Sequence, residues 1–105
     1  MPKFMLTYLG GDHPSNPEEG QKHFAKYKEW LGGLGDAVVS PANPLKGTCQ
    51  VAPDGSVSDG SQTGMSGFTV VQADSKASAL DMAKSCPFLE INGTLEVSEM
   101  IDMNM

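Results

Sequence analysis

The period of apolar and polar positions changes several times along the chain. From Lys3 to Leu9 the side chains alternate, with Phe4, Leu6 and Tyr8 on one side and Met5, Thr7 and Leu9 on the other. Both sides are largely apolar. This predicts a strand covered by helices on one face and by a second chain on the other. Gly10-Gly11 ends the run, and Gly10 to Ser15 forms a loop carrying Asp12 and His13. The period then becomes helical: Phe24, Tyr27, Leu31 and Leu34 recur at spacings of three and four and make one apolar stripe. Trp30 widens that stripe and His23 lies on its flank. The start is marked by Asn16, whose side-chain oxygen can accept from the orphan amides of the first turn, and by Pro17, which needs no donor there. Glu18 and Glu19 place negative charge at the positive end of the helix dipole. Gly32, Gly33 and Gly35 offer stops near Leu31 or Leu34, because glycine adopts the left-handed cap conformation cheaply.

A short second strand is expected over Ala37 to Ser40, with Pro41 and Pro44 breaking regular structure behind it. Thr48 to Ala52 and Ser56 to Ser58 read as a hairpin turned by Pro53-Asp54-Gly55. Asp59 to Ser66 is polar, rich in Gly and Ser, and reads as a flexible loop. Gly67 to Ala73 is the third main strand, with Phe68 and Val70 on one face and Thr69 and Val71 on the other. A second helix is expected from about Ser75 to Cys86, capped by Asp74 or Ser75 and closed by Pro87. Ala79, Leu80 and Ala83 face inward in that reading. Asn92-Gly93 turns the chain into a last strand from Thr94 to about Met103, and Asp102 to Met105 is expected to fray. The order predicts an α+β fold: a ferredoxin-like βαββαβ unit with an inserted hairpin and two helices on one face of an antiparallel sheet. The 105 residues fit one domain, 1–105.

Composition narrows the function. A formal net charge of -6 argues against nucleic-acid binding, which rests on clustered Lys and Arg. Lys22, Lys26 and Lys28 share their helix with Glu18, Glu19 and Glu29, so they read as a mixed, solvated face. Phe4 to Leu9 is too short for a membrane span or a signal-peptide core, so the expectation is a cytoplasmic protein away from membranes. Cys49 and Cys86 form no Cys-x-x-Cys pattern and read as free thiols. Asn92-Gly93-Thr94 matches a glycosylation sequon but reads here as a turn.

The pieces together resemble YCII-related proteins of the dimeric α/β-barrel superfamily. They are the opening Lys3-Phe4-Met5-Leu6-Thr7-Tyr8, the helix end Leu34-Gly35-Asp36-Ala37-Val38-Val39, the turn Asn43-Pro44-Leu45, and Val57-Ser58-Asp59-Gly60. Gly67-Phe68-Thr69-Val70-Val71, Ala83-Lys84-Ser85-Cys86-Pro87 and Gly93-Thr94-Leu95-Glu96-Val97 complete the series. The resemblance implies a ferredoxin-like protomer that dimerises through its sheet. It also implies a small protein that uses no cofactor, in a family that includes a dehydrochlorinase. The family's suggested catalytic feature is a His-Asp pair. His23-Phe24-x-x-Tyr27 matches the histidine's helical setting. For the aspartate, one branch has Asp-Pro at the end of the second helix, where this chain has Cys86-Pro87. Another branch has Asp-Gly-Pro-Phe after the hairpin, where this chain keeps Asp59-Gly60 and has Ser61-Gln62 in place of Pro-Phe.

His23 is the leading chemical candidate, since an imidazole gives and takes protons near neutrality. His23, Tyr27 and Trp30 are spaced by four and three and form one row on the helix. With Tyr8, they suit the edge of a pocket for a small planar ligand. Asp59 is the candidate acid partner of His23. Asp36 is about thirteen residues from His23, roughly 20 Å along a helix, and reads as part of a turn. Cys86, at the negative end of a helix, reads as packing rather than as a nucleophile. Asp12, His13 and His23 are too few and too irregular for a metal site, and the Gly60-Gly64-Gly67 series leads into a strand rather than the helix a phosphate cradle needs. The expected function is small-molecule binding, with acid/base chemistry of the isomerase or lyase type at His23. The alternative is a non-catalytic binding or accessory module on the same fold.

Overall fold

In the computed structural model, which describes residues 1–103, Asn16 opens the long helix as its chemistry requires. Its side-chain oxygen accepts from the Glu19 amide at 2.9 Å. The Glu19 carboxylate reaches back to the amide and hydroxyl of Ser15, at 3.1 and 2.5 Å. Helix α1 runs Pro17–Leu34 and ends at Gly35, whose positive φ of 57° is one that glycine tolerates best. A 3₁₀ turn, Gly35–Ala37, follows it. Asp36 belongs to this turn, and its backbone carbonyl accepts from the Gln72 side chain at 3.0 Å.

The four main strands are β1 (Lys3–Gly10), β2 (Val38–Pro44), β5 (Met65–Gln72) and β6 (Gly93–Glu99). They form one antiparallel sheet in the order β2-β5-β1-β6. A separate two-stranded sheet pairs β3 (Cys49–Val51) with β4 (Val57–Asp59). Helix α2 spans Lys76–Lys84, capped by Ser75, and a 3₁₀ helix, Pro87–Ile91, leads to β6. This is the expected ferredoxin-like arrangement: two helices cover one face of the sheet and the hairpin is inserted before β5.

Phe4, Leu6 and Tyr8 point to the helix side. They pack with Val71, Ala73, Ala79, Ala83, Cys86 and Trp30 into the core. Cys49 is exposed, Cys86 is buried, and both are free thiols. Asn92 holds a left-handed φ of 63° at the turn into β6 and donates its side-chain amide to Asp12 at 2.6 Å, so the turn reading holds.

Several local expectations change. Strand β2 continues through Pro41 to Pro44. It is an edge strand, where a missing backbone donor costs no ladder bond. Strand β5 begins at Met65, which shortens the polar loop. Within that loop the Ser61 hydroxyl accepts from the amides of Thr63 and Gly64. Strand β6 ends at Glu99, short of Met103; Asn104 and Met105 lie outside the described residues. Phe24 is 56% exposed and sits under the Lys28 ammonium, 4.8 Å from its ring centre, so it is not part of the core stripe. Trp30, expected only to widen that stripe, is instead its buried centre at 8% exposure. Leu80 turns outward, leaving Ala79 and Ala83 as the buried face of α2. The 3₁₀ helix Pro87–Ile91 has no counterpart in the sequence reading. It matters because it places Phe88.

Candidate functional site

A cavity of about 240 Å³ opens between α1, β2, β5 and the 3₁₀ helix. Tyr8, His23, Phe24, Tyr27, Ala42, Asn43, Pro44, Ser66, Gly67 and Phe88 line it. Its walls are mostly apolar, with a few hydroxyls, one amide and one imidazole among them. Small-ligand pockets commonly have this composition.

Each wall has a local cause. Tyr8 reaches the cavity because it shares the helix side of β1 with Leu6 and Phe4. Tyr27 lies one turn of α1 beyond His23, so both face the same space. Gly67 lets β2 come close: a Cβ there would meet the Asn43 carbonyl oxygen at 2.9 Å and the Pro44 Cα at 3.3 Å. Phe88 fits over two more glycines. A Cβ at Gly93 would lie 2.2 Å from its ring, and one at Gly11 would lie 2.8 Å away. Its ring sits 5.0 Å from that of Tyr8.

Behind the cavity three hydroxyls meet. Tyr8 and Tyr27 are in direct hydrogen-bond contact. The Thr69 hydroxyl lies 2.5 Å from that of Tyr8 and 2.9 Å from that of Tyr27, and it donates to the Pro41 carbonyl at 2.6 Å. Burial pushes both phenols above the ordinary tyrosine range, Tyr8 strongly. Both are therefore neutral donors at physiological pH. Burial also pushes the Cys86 thiol up, to about 11. That agrees with a packing role, with burial rather than the helix end as the leading cause.

The structure brings together three of the five candidates. His23, Tyr8 and Tyr27 share the cavity. Trp30 does not line it. Its ring lies 5.5 Å from that of Tyr27, and its indole nitrogen donates to the Met82 carbonyl at 3.0 Å, so it supports the wall from behind. Asp59 lies at the end of β4, contacted by the Cys49 thiol at 3.6 Å, and is not among the residues lining this cavity. No carboxylate lines it among the described residues.

His23 also borders another, more open cavity of about 740 Å³, lined by Asp12, His13, Pro14, Ser15, Glu19, Gly20, Phe24, Glu90 and Ile91 as well. The two histidines thus meet one space, which their ten-residue separation and the loop between them concealed. The carboxylates there already have partners: Asp12 with Asn92, Glu19 with Ser15, and Glu90 with Lys26 at 3.3 Å. No group of three or more metal-ligating side chains occurs among the described residues. No described helix is long and apolar enough to cross a membrane.

Asn43, Ser66 and Phe88 are among the lining residues that sequence reasoning missed. Asn43 was hidden between two prolines, and Phe88 stood in a stretch with no assigned structure. The run Asn43-Pro44, matched against the apolar rhythm of β5, was the one available signal.

No family model matches the chain, and no curated protein does. Among solved structures the fold is similar to 5-chloro-2-hydroxyhydroquinone dehydrochlorinase (TftG) from Burkholderia phenoliruptrix AC1100, in its complex with 2,5-dihydroxybenzoquinone. The TM-score is 0.60 at 14% sequence identity, over 96% of this chain and 95% of that one. Fold and sheet order thus place this chain among α+β proteins of ferredoxin-like fold. At that identity the likeness concerns the fold alone.

Proposed function

We propose that the chain is a YCII-related small-molecule-binding protein that works as a cytoplasmic homodimer. Where it turns a substrate over, it does cofactor-free acid/base chemistry of the isomerase or lyase type. The observation that carries this is the meeting of His23, Tyr8 and Tyr27 on one mostly apolar cavity. A flat, oxygen-bearing ring suits those walls: Phe24 and Phe88 offer apolar faces, and the phenols offer donors. His23 is the group able to move a proton at such a ring, because it is a half-buried imidazole on the cavity wall. The dehydrochlorinase of similar fold, with its bound dihydroxybenzoquinone, supports the same ligand class. Asp59 enters this reading only across a dimer, reaching a partner's cavity rather than its own.

The competing reading is a binding or accessory module without turnover. The observation favouring it is that His23 has no carboxylate beside it on the cavity wall.

The homodimer is argued from the sheet face opposite the helices. Met5, Leu9 and Phe68 alternate with core residues there and are only half-buried in one chain, and Val39 beyond them is exposed. Sedimentation at low micromolar concentration should show a dimer; a well-folded monomer would remove it. The cavity itself is tested by calorimetric titration of small oxygenated aromatics into the parent and into Ala42→Phe, whose new ring occupies the space. Binding to the parent that is lost in the variant, with both melting alike, is the expected result. Equal binding by both would move the ligand elsewhere.

A further inference from the structure

Gly93 opens β6 directly after the left-handed Asn92, yet its own φ is not left-handed, so its backbone does not call for glycine. Gly11, the other glycine against Phe88, has a φ of 89° and is explained by that alone. What a side chain at Gly93 would meet is the Phe88 ring: a Cβ there lies 2.2 and 2.3 Å from two ring carbons and 2.8 Å from a third. Non-bonded carbons rest at about 3.5–4.0 Å, so the ring would have to move by more than about 1 Å. The bare Cα of Gly93 thus answers to one contact, the seat it gives Phe88.

The ring has little choice of direction. Its backbone is held in the 3₁₀ helix, where the Phe88 carbonyl accepts from the Asn92 amide and the preceding Pro87 is buried. On one flank stands Tyr8, 5.0 Å away between ring centres, itself buried and tied to Thr69 at 2.5 Å. On another lie the ends of β1 and β6, paired at Gly10 and Gly93. The half-buried ring also borders the cavity, facing the space it shares with His23, Phe24 and Tyr27 of α1. A ring lifted off Gly93 moves into that space.

We propose that Gly93 is a specificity-determining residue: by seating Phe88 against the end of the sheet, it sets how large a ring system the cavity admits. Gly93 does not line the cavity and acts through Phe88 alone. This rests on the small-molecule reading above and adds to it the position that fixes ligand size.

Catechol and 2,3-dihydroxynaphthalene carry the same pair of hydroxyls on one ring and on two. Calorimetric titration of both into the parent, Gly93→Ala, Phe88→Leu and the double variant reads the ratio of their affinities. Gly93→Ala should shift that ratio by about tenfold against the two-ring probe, since the wall advances by the width of a methyl group. Phe88→Leu should shift it the other way, and the double variant should regain at least the parental ratio. A glycine that served stability alone would weaken both probes alike. An unchanged ratio in Gly93→Ala overturns the proposal, as does the same shift surviving in the double variant. A crystal structure of ligand-free Gly93→Ala checks the cause. The Phe88 ring should stand closer to His23 and Phe24; a ring turned out of the cavity, or left in place while the strand shifts, overturns the proposal. A parent that binds neither probe counts against the small-molecule reading, and that crystal structure then decides the role of Gly93 by itself. Should Gly93→Ala fail to fold, Phe88→Leu carries the test, and an unchanged ratio there overturns the proposal.

Discussion

Two cavities meet at His23, and they are built from opposite materials. The smaller one is walled by a sheet, a helix and two aromatic rings, with neutral hydroxyls set at fixed distances behind it. The larger one lies between a loop and the first turns of α1 and holds two histidines and three carboxylates. A count of titratable groups alone would assign the chemistry to the larger cavity. Its acids, however, are each engaged locally: with an asparagine, the serine just before the helix cap, and a lysine on the surface. Abundance of titratable groups and readiness for chemistry are therefore different properties. The groups with least solvent and most fixed geometry are the phenols, which a charge count passes over.

The sharpest way to separate the two sides is through the two histidines. If substrate is handled in the apolar cavity, His23→Gln should lower kcat/KM by about 10²–10⁴-fold, or roughly 3–5 kcal/mol of transition-state stabilisation. His13→Gln, which changes only the open side, should leave kcat/KM within about twofold. Equal losses in both variants would transfer the chemistry to the larger cavity. Parental activity in both would favour the binding module.

Next in size is the support behind the walls. Trp30 is buried behind Tyr27 and bonded to the Met82 carbonyl, so Trp30→Ala should destabilise the fold by about 3–5 kcal/mol in a denaturant titration. A loss below about 1 kcal/mol would mean that the wall does not depend on it.

pH distinguishes the two sides by sign. The folded protein holds the Cys86 thiol at about 11, above its ordinary value, so the native state keeps a proton that the unfolded chain releases. Stability is then complete below about pH 9 and falls between about pH 9 and 11, by up to about 2–3 kcal/mol. The raised phenols continue the decline above that window. Cys86→Ala should flatten the Cys86 part of the curve in alkaline melts. On the open side the sign is reversed. The Ser15 hydroxyl and amide hold Glu19 below the usual carboxylate range, so its contribution is present above about pH 4.5 and is lost on acidification. Glu19 is fully exposed, so this is the smallest of the effects, visible as a slight loss in acid melts that Glu19→Gln removes.

The frame of this site was largely legible in the residues. Asn16-Pro17 marks the start of α1 because cap and first-turn chemistry are local, and the alternation of Phe4, Leu6 and Tyr8 marks the buried face of β1 because a strand's period is two. What stayed hidden depends on tertiary placement. Pro41 and Pro44 read as breaks until β2 is known to be an edge strand. Phe24 fits the helical stripe by spacing, but it stands largely exposed at the cavity, with Lys28 over its ring. The cluster of Tyr8, Tyr27 and Thr69 depends on Leu6 standing opposite Thr69 in the sheet, a register that no local pattern states. Asp59 does not line the cavity beside His23 for the same reason: the hairpin that carries it forms its own two-stranded sheet.

The central claim is that the apolar cavity, not the charged one, receives the ligand. With only two histidines and two tyrosines in the chain, an NMR titration of 2,5-dihydroxybenzoquinone into protein labelled at those residues reads both cavities at once. The account predicts that the His23, Tyr8 and Tyr27 ring signals move together and saturate together, while His13 stays in place. Saturable movement of His13 with both tyrosines unchanged would contradict it.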